Sequence, residues 1–326
     1  MKMPTSNSTI SPVICEADAH FLNFLYAITY TIILVPGLIG NILALWVFYA
    51  YIKETKRAVI FMMNLAVADL AQILSLPLRI FYYLNHSWPF GEVLCMFCFY
   101  LKYVNMYASI YFLVCISIRR LLFLLYPFKY CDCKRTYDVY ISIAGWVVVC
   151  VACLPFPLLR LKSDNNETCF VDLPLKNVGT VNSIMMVTLG ELFGFVTPLL
   201  TVLYCSWKTI RLLQETNSIS HDLGEKKKAL KMILTCTVVF LICFAPYHIS
   251  FPLHFLAKSN QIKDCSSKKT ILTFHPVALC LASMNSCLDP IIYYFTTDEF
   301  RRRLSRQDSI ELQNKDNEKI QQKLVR

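Results

Sequence analysis

The chain has 326 residues, 56% of which are hydrophobic, and its mean hydropathy is +0.47. These values exclude a single soluble domain, because the surface of such a domain must be largely polar. The formal net charge of +10 would suit a protein that binds nucleic acid. However, the basic residues are distributed as the topology of a membrane protein requires, so no nucleic-acid partner is expected.

Seven long stretches of the chain carry almost no charge, and each exceeds the roughly 20 residues that cross a bilayer as a helix. They predict an all-α fold, a seven-transmembrane helix bundle. The charged residues inside the predicted spans are Asp69, Lys102, Glu191 and Asp289. The spans run approximately from Phe24 to Ile52, Ala58 to Leu78, Val93 to Ile118, Val139 to Leu159, Val178 to Trp207, Met232 to Ala257 and Thr270 to Thr297.

Basic residues are concentrated on one side of these spans. Of the 32 Lys and Arg residues, 22 fall in the segments 53–57, 119–135, 208–231 and 301–326. Because cytoplasmic loops are enriched in Lys and Arg, these segments are predicted to be cytoplasmic and the N terminus extracellular. The chain then divides into an extracellular segment (1–23), the bundle (24–297) and a cytoplasmic helix and tail (298–326).

Glycosylation and disulfide signals fall on the predicted extracellular side. The sequons that begin at Asn7 and Asn166 lie on segments placed outside by the charge count. Most of the 15 cysteines lie within spans, where a thiol packs as a small apolar group. Four are predicted to face the oxidising exterior, which favours their pairing: Cys15, Cys95, Cys169 and Cys265.

Motifs in five spans resemble the rhodopsin-like (class A) G-protein-coupled receptors, over about residues 24–304. This resemblance implies a plasma-membrane receptor that binds an extracellular ligand and activates heterotrimeric G proteins, with a short amphipathic eighth helix after the bundle. The motifs are Gly40-Asn41 in the first span, Leu65-Ala66-Val67-Ala68-Asp69 in the second, Trp146 in the fourth, Cys243-Phe244-Ala245-Pro246 in the sixth, Asp289-Pro290-Ile291-Ile292-Tyr293 in the seventh, and Phe300-Arg301-Arg302-Arg303 after it.

The resemblance also assigns activation roles. Phe244 and Pro246 are the expected switch of the sixth span, although Pro246 also fits a static kink. Arg120 is the expected arginine at the inner end of the third span, and Phe128 the expected apolar contact with the G protein, or else a membrane-interface aromatic. Asp289, Pro290 and Tyr293 form the activation motif of the seventh span.

The sequence departs from the family at three cytoplasmic positions. Arg119 stands where the family usually has an acidic residue, and Leu121 where it usually has an aromatic one. Ser206 stands where a Tyr is usual in the fifth span. Loss of the acid removes the local partner of Arg120, so altered basal activity or coupling is expected.

Two of the acidic residues inside the predicted spans, Asp69 and Asp289, are expected to share a partner, because a charge at membrane depth is costly. By resemblance, Asp69 and Asp289 with Ser109 and Asn285 are a candidate allosteric sodium site, and hard oxygen ligands suit such a cation. A water-filled polar cluster without a specific ion is the alternative, which the sequence leaves open. No other cofactor or metal is expected.

A cluster of basic residues is predicted near the extracellular end of the bundle. At 1.5 Å per residue, Lys102 lies about 10 Å below Cys95, in an outward-facing cavity. Arg79 and Arg160 are at a similar level, and the three together suit a phosphate. Alternatively, the two arginines reach the lipid headgroups and Lys102 pairs with Glu191.

The rest of the expected pocket is largely apolar. Tyr103, Met106, Tyr247 and Phe251 offer room for an acyl chain, although each also fits ordinary packing. Glu191 or Asp172 is a candidate partner for a ligand amine. The predicted ligand is therefore a small anionic lipid.

The outer cysteines and the pocket residues refine the resemblance. The pair Cys95–Cys169 is common to rhodopsin-like receptors, and Cys15–Cys265 resembles the purinergic-receptor-like branch, so a nucleotide is the alternative ligand. The segments 75–84 and 99–109 resemble the lysophosphatidylserine receptors within that branch. The same resemblance implies coupling to G proteins of the G-twelve/thirteen type.

Other classes of seven-helix or membrane protein lack their required residues in this sequence. No Lys lies between Thr270 and Thr297, where a retinal protein needs one for its Schiff base. Neither a His-Glu-x-x-His nor a Gly-x-Ser-x-Gly motif occurs, so the chain is not expected to be an enzyme. Charged rings and filter loops typical of channels are also missing.

Overall fold

The computed structural model describes residues 17–54, 59–126, 135–158, 169–170, 180–215, 222–259 and 261–296. Within these ranges, seven helices are long and apolar enough to cross a membrane, which confirms the predicted bundle. They are called spans 1 to 7. Their helical segments are Ala19–Glu54, Ile60–Asn85, Glu92–Leu125, Arg135–Cys153 with Pro155–Leu158, Thr180–Glu191 with Leu192–Val196 and Thr197–Glu215, Asp222–Val239 with Phe240–Phe244 and Ala245–Lys258, and Cys265–Ser283 with Asn285–Thr296.

Several helices are longer than the sequence predicted. Span 2 continues to Asn85, so Arg79 is inside it, and spans 3 and 4 include Arg119 and Asp138. The helices therefore contain charged residues besides the four that lie within the predicted bounds. Hydropathy marks where the apolar stretch ends, but backbone hydrogen bonding continues the helix past the first charged residues.

Spans 5 and 6 each contain a short π-helical turn just before a proline. These turns are Leu192–Val196, followed by Pro198, and Phe240–Phe244, followed by Pro246. Proline lacks an N–H group and its ring clashes with a regular helix, and a π turn accommodates both effects. The kink expected in span 6 therefore has an identifiable backbone cause.

Close contacts between helices depend on small residues. Asn41 in span 1 donates hydrogen bonds from Nδ2 to the carbonyl oxygens of Gly37, at 2.9 Å, and Ser286, at 2.7 Å. A Cβ atom on Gly40 would lie 2.8 Å from Cβ of Pro290. These contacts bring span 1 against span 7 and place the polar residues of span 7 in the centre of the bundle.

The two ends of the bundle are called extracellular and cytoplasmic after the predicted orientation, and a disulfide fixes the extracellular end. Cys95 at the start of span 3 is bonded to Cys169, which confirms that predicted pair. Cys265 is also disulfide-bonded, but the pair with Cys15 stays a prediction. Outside the described residues lie Asn7, Cys15, Phe128, Arg160, Asn166 and the predicted eighth helix and tail, 298–326.

Candidate functional site

Arg79 is buried near the extracellular end of span 2, with only 2% of its surface exposed. Its Nε donates to Ser75 Oγ at 3.3 Å, and its Nη2 donates to the carbonyl oxygen of Cys98 in span 3. Its Cζ atom lies 4.8 Å from the ring centre of Phe170. No carboxylate of a described residue lies within 4.0 Å of this guanidinium, so the site holds a buried positive charge without an acidic partner. It does not extend to the lipid headgroups.

Three tyrosines, Tyr26 and Tyr30 from span 1 and Tyr83 from span 2, form an aromatic group that is called the tyrosine cluster. Their ring centres are 4.6 to 6.0 Å apart. Arg79 Cζ lies 6.0 Å from the ring centre of Tyr30, and Lys102 Nζ lies 6.0 Å from that of Tyr26. At such distances the ring faces attract cations. The tyrosine cluster thereby brings Arg79 and Lys102, two of the three predicted basic residues, to one site.

Lys102 also contributes to a small cavity among spans 2, 3 and 7. Lys102 Nζ lies 5.8 Å from the ring centre of Tyr103, which stacks on Phe156 at 4.2 Å. The cavity extends from this level to the polar centre of the bundle. It is lined by Gln72, Lys102, Tyr103, Asn105, Met106, Leu279, Ala282 and Ser283.

Glu191 does not have the partner proposed for it in the alternative interpretation of Lys102. Its two carboxylate oxygens lie 3.0 and 3.2 Å from Nδ1 of His248, so it joins span 5 to span 6. The imidazole is buried and stacks on Phe195 at 4.4 Å. Glu191 is therefore held by His248 in this structure.

Tyr247 and Phe251 lie on the side of the bundle formed by spans 6 and 7. Their rings stack at 5.6 Å, and Tyr247 lies 5.5 Å from His275. The Tyr247 hydroxyl is fully buried and has no hydrogen-bond partner among the described residues. A buried hydroxyl without a partner costs about 1 to 3 kcal/mol, so a bound polar group would be stabilised here.

Below this level, Asp69 is the centre of a buried polar cluster. Its Oδ1 accepts hydrogen bonds from Asn105 and Ser286, both at 3.0 Å, and from Asn285 at 3.4 Å. Asn285 Nδ2 also donates to Ser109 Oγ at 2.9 Å. The four residues of the candidate sodium site are thus all fully buried, including Asp289.

Three carboxylate oxygens in this cluster lack a hydrogen-bond donor among the described residues. They are Oδ2 of Asp69 and both oxygens of Asp289. Since a buried carboxylate needs compensation, a cation or a shared proton fits this arrangement. Asn105 lines the outer cavity and also donates to Asp69, so it connects the two sites.

The expected activation residues of spans 6 and 7 lie just below. Phe244 is fully buried within the π turn, and its ring meets that of Phe240 at 5.7 Å. Tyr293 packs against Phe48 at 5.1 Å and donates to the carbonyl oxygen of Met62 at 3.4 Å. These contacts place the predicted switch residues between the polar cluster and the cytoplasmic end.

Each residue that departs from the family has a defined contact at the cytoplasmic end. Arg119 Nη2 lies 3.3 Å from Oδ2 of Asp138 in span 4. Ser206 Oγ lies 2.8 Å from Oγ1 of Thr237. Leu121 packs in a small apolar cluster with residues of spans 5 and 6. The buried members of this cluster are Leu121, Cys205 and Ile233.

Several residues of these sites were not predicted from the sequence. Tyr26 and Tyr30 are in span 1, which the pocket prediction did not include, and the apolar content of that span gave no signal for them. Phe170 had one available signal, since it follows Cys169, which is tied to span 3. Asp138 was not predicted because it lies one residue before the apolar stretch that defined span 4.

Seven membrane-length helices, a pocket with two basic residues and a buried polar cluster joined to it through Asn105 are the features of a seven-helix membrane receptor. The chain belongs to the 7 transmembrane receptor (rhodopsin family), whose sequence model matches residues 40–293. It is therefore a multi-pass plasma-membrane protein and a receptor rather than an enzyme, as predicted. Membership of this family implies that it binds a ligand and couples to G proteins.

Relatives from three groups match most of the chain. "Probable G-protein coupled receptor 174" of Homo sapiens is 71% identical over 294 residues, which are 89% of this chain and 88% of the relative. A relative of Homo sapiens named as a putative purinoceptor is 49% identical over 310 residues, 94% and 91% of the two chains. "Lysophosphatidic acid receptor 6" of Gallus gallus is 36% identical over 290 residues, 87% and 94%. The purinergic-receptor-like branch predicted from the sequence is thereby confirmed.

Proposed function

We propose that this chain is a receptor for an extracellular anionic lysophospholipid, with lysophosphatidylserine as the ligand, and that its N terminus is extracellular. The observation that carries the proposal is the buried Arg79, which has no carboxylate partner among the described residues and shares the tyrosine cluster with Lys102. A buried cation is costly unless an anion compensates it. A phosphate provides that charge and accepts several hydrogen bonds.

The apolar surroundings favour a lipid over a nucleotide. Tyr103, Phe156 and Met106 lie beside Lys102, and an acyl chain would pack against them. Span 7 contains no Lys or Arg after Lys269, so a triphosphate would lack counter-charges on that side of the pocket. The name of one relative, "Lysophosphatidic acid receptor 6", indicates a lysophospholipid ligand for that protein and supports the same class here.

The serine headgroup of the proposed lipid adds an amine and a carboxylate to the phosphate. Glu191 is the acidic residue proposed to bind the amine. Because Glu191 is paired with His248, that contact must rearrange before the carboxylate binds an amine. We therefore assign the phosphate to Arg79 and Lys102 and the amine to Glu191. Arg160, outside the described residues, completes the proposed basic group.

A G-protein dissociation assay in cells expressing the chain tests the proposal. We expect lysophosphatidylserine to activate it, and Lys102→Ala and Arg79→Lys each to raise the half-maximal concentration about 10-fold or more, as expected for a lost charge-assisted hydrogen bond. Arg79→Lys keeps the charge but loses the planar fork of donors. Lys269→Ala, an exposed charge at the outer end of span 7, is the matched control and should respond normally.

The assay also discriminates among ligands and G proteins. Activation by nucleotides instead of the lipid would replace the proposed ligand. A lipid response that neither substitution changes, at equal surface expression, would exclude the cationic site. We propose coupling to the G-twelve/thirteen type, which the same assay tests by comparing α subunits.

We also propose that the cluster of Asp69, Ser109, Asn285 and Asp289 binds a sodium ion. The three partnerless carboxylate oxygens support a cation there, and carboxylate and hydroxyl oxygens are the ligands that hard cations prefer. A bound ion would neutralise part of the buried negative charge. The alternative is a shared proton or water in the same space.

A further inference from the structure

Arg119 and Asp138 form an ion pair between two helices at the cytoplasmic end, with Asp138 buried and Arg119 partly buried. The guanidinium nitrogen and the carboxylate oxygen are 3.3 Å apart, and the two side chains are 17% and 4% exposed. Arg119 lies six residues before the end of span 3 at Leu125, and Asp138 lies three residues after the start of span 4 at Arg135. The pair therefore joins the two helices close to the ends that their connecting segment links.

A network of hydrogen bonds holds the Asp138 end of this pair. The carbonyl oxygen of Asp138 accepts from Ser142 Oγ at 2.8 Å, and Ser142 Oγ accepts from Asn64 of span 2 at 3.2 Å. Asn64 Oδ1 in turn accepts from Trp146 Nε1 at 2.8 Å. Span 4 is thus fixed to span 2, and Arg119 connects span 3 to this fixed frame.

Stability alone does not explain a buried ion pair at this place. Removing two charges from water costs about as much as their attraction returns, and well-packed apolar residues are often equally stable or better. The pair instead restricts the relative orientation of the two helices, because the ion pair forms only when the two side chains face each other. It fixes the rotation of the helical turn that carries Arg119 and, next to it, Arg120.

We propose that Asp138 is a positioning residue for G-protein coupling. It supplies from span 4 a counter-charge for Arg119, and this pair sets the cytoplasmic ends of spans 3 and 4 in the geometry that the G protein recognises. The proposal rests on G-protein coupling, which follows from the receptor family, and not on the lipid ligand.

Nucleotide exchange on purified G protein by the purified receptor in lipid nanodiscs tests this role. Asp138→Asn and Arg119→Gln should each raise the KM for the G protein by on the order of 10-fold, as expected when a buried charge loses its partner, with little change in the maximal rate. The charge swap Arg119→Asp/Asp138→Arg should restore at least half of the loss. Asp264→Asn is the matched control, since Asn also accepts the Ser267 N–H bond that Asp264 accepts at 2.8 Å.

The apolar double variant Arg119→Leu/Asp138→Leu separates positioning from folding. It should regain the thermal unfolding midpoint of the wild type and still show the raised KM. A normal KM in this variant would overturn the proposal, because any stable contact would then be sufficient. An unchanged KM in both single variants, at equal amounts of folded receptor, would also overturn it.

Exchange rates are compared among variants without ligand and again with lysophosphatidylserine. If the lipid fails to stimulate the wild type, the ligand assignment fails, but the KM ratios measured without ligand still decide the role of Asp138. If both sets of ratios agree, the positioning effect is independent of the ligand.

Discussion

Thr237 Oγ1 lies 2.8 Å from Ser206 Oγ, and this contact joins span 6 to span 5 in the cytoplasmic half of the bundle. Each hydroxyl also lies within hydrogen-bond distance of a carbonyl in its own helix, that of Val202 or Ile233. The two hydroxyl groups have two protons for three possible hydrogen bonds, one between the helices and one to each carbonyl. When the bond between the helices forms, one of the bonds to a carbonyl is therefore lost. It is therefore a contact that can open at low cost.

Thr237→Val, which keeps the shape of the side chain, should raise ligand-independent G-protein activation. A hydrogen bond of this kind contributes about 0.5 to 1.5 kcal/mol, which corresponds to roughly a 2-fold to 10-fold shift toward the state with span 6 released. G-protein dissociation without ligand, at matched surface expression, measures the change. Thr235→Val is the control, because among the described residues Thr235 bonds only within its own helix, to the carbonyl oxygen of Lys231, at 2.7 Å. A basal signal equal to wild type in Thr237→Val would show that this contact does not restrain span 6.

Much of this architecture was predictable, because hydropathy and charge asymmetry respond to the bilayer itself. The seven spans and the Cys95–Cys169 pair were predicted correctly. The partners of Glu191 and Arg119 were not predicted. Glu191 pairs with His248, which is 57 residues away, and Arg119 pairs with Asp138, which is 19 residues away, and such pairs depend on helix rotation. Helix rotation is fixed by packing across the bundle, which a hydropathy pattern does not contain.

Gly145 is required for the contact between spans 3 and 4. A Cβ atom there would lie 2.1 Å from Cε1 of Tyr111, whose hydroxyl is held by a 2.9 Å bond to the carbonyl oxygen of Ile141. Gly145→Ala should therefore destabilise the receptor by about 1 to 3 kcal/mol, as overpacking does, and lower its unfolding midpoint. Gly190→Ala, which meets nothing within 4 Å, is the matched control and should be neutral or stabilising, since Ala favours helix.

A double variant tests whether the ring of Tyr111 causes this clash. Tyr111→Ala added to Gly145→Ala should cost less than the sum of the two single changes, because the ring that obstructs the methyl group is gone. Additive effects would show that the loss in Gly145→Ala arises elsewhere.

The Glu191–His248 contact should appear as a coupling energy. Glu191→Leu and His248→Phe each remove the 3.0 Å contact between spans 5 and 6, so the second substitution should add little to the first. Contacting residues typically show coupling of about 0.5 to 3 kcal/mol. Thermal unfolding of the two single variants and the double variant measures it. Strict additivity would mean that the two groups do not interact in the folded receptor.

Sodium should stabilise the folded receptor through the Asp69 cluster. If an ion occupies the space beside the three partnerless carboxylate oxygens, replacing sodium by choline at constant ionic strength should lower the unfolding midpoint. By mass action, sodium at a concentration 100 times its dissociation constant adds about 2.7 kcal/mol to the free energy of unfolding. In Asp69→Asn the dependence on sodium should vanish, because the charge that attracts the cation is lost. Asp138→Asn, which removes a carboxylate outside the cluster, should keep the sodium dependence of the wild type. If the wild type unfolds at the same temperature in both salts, the cluster instead holds a proton or water, and Asp69→Asn should then be tolerated, since an amide and a protonated carboxyl can make similar hydrogen bonds.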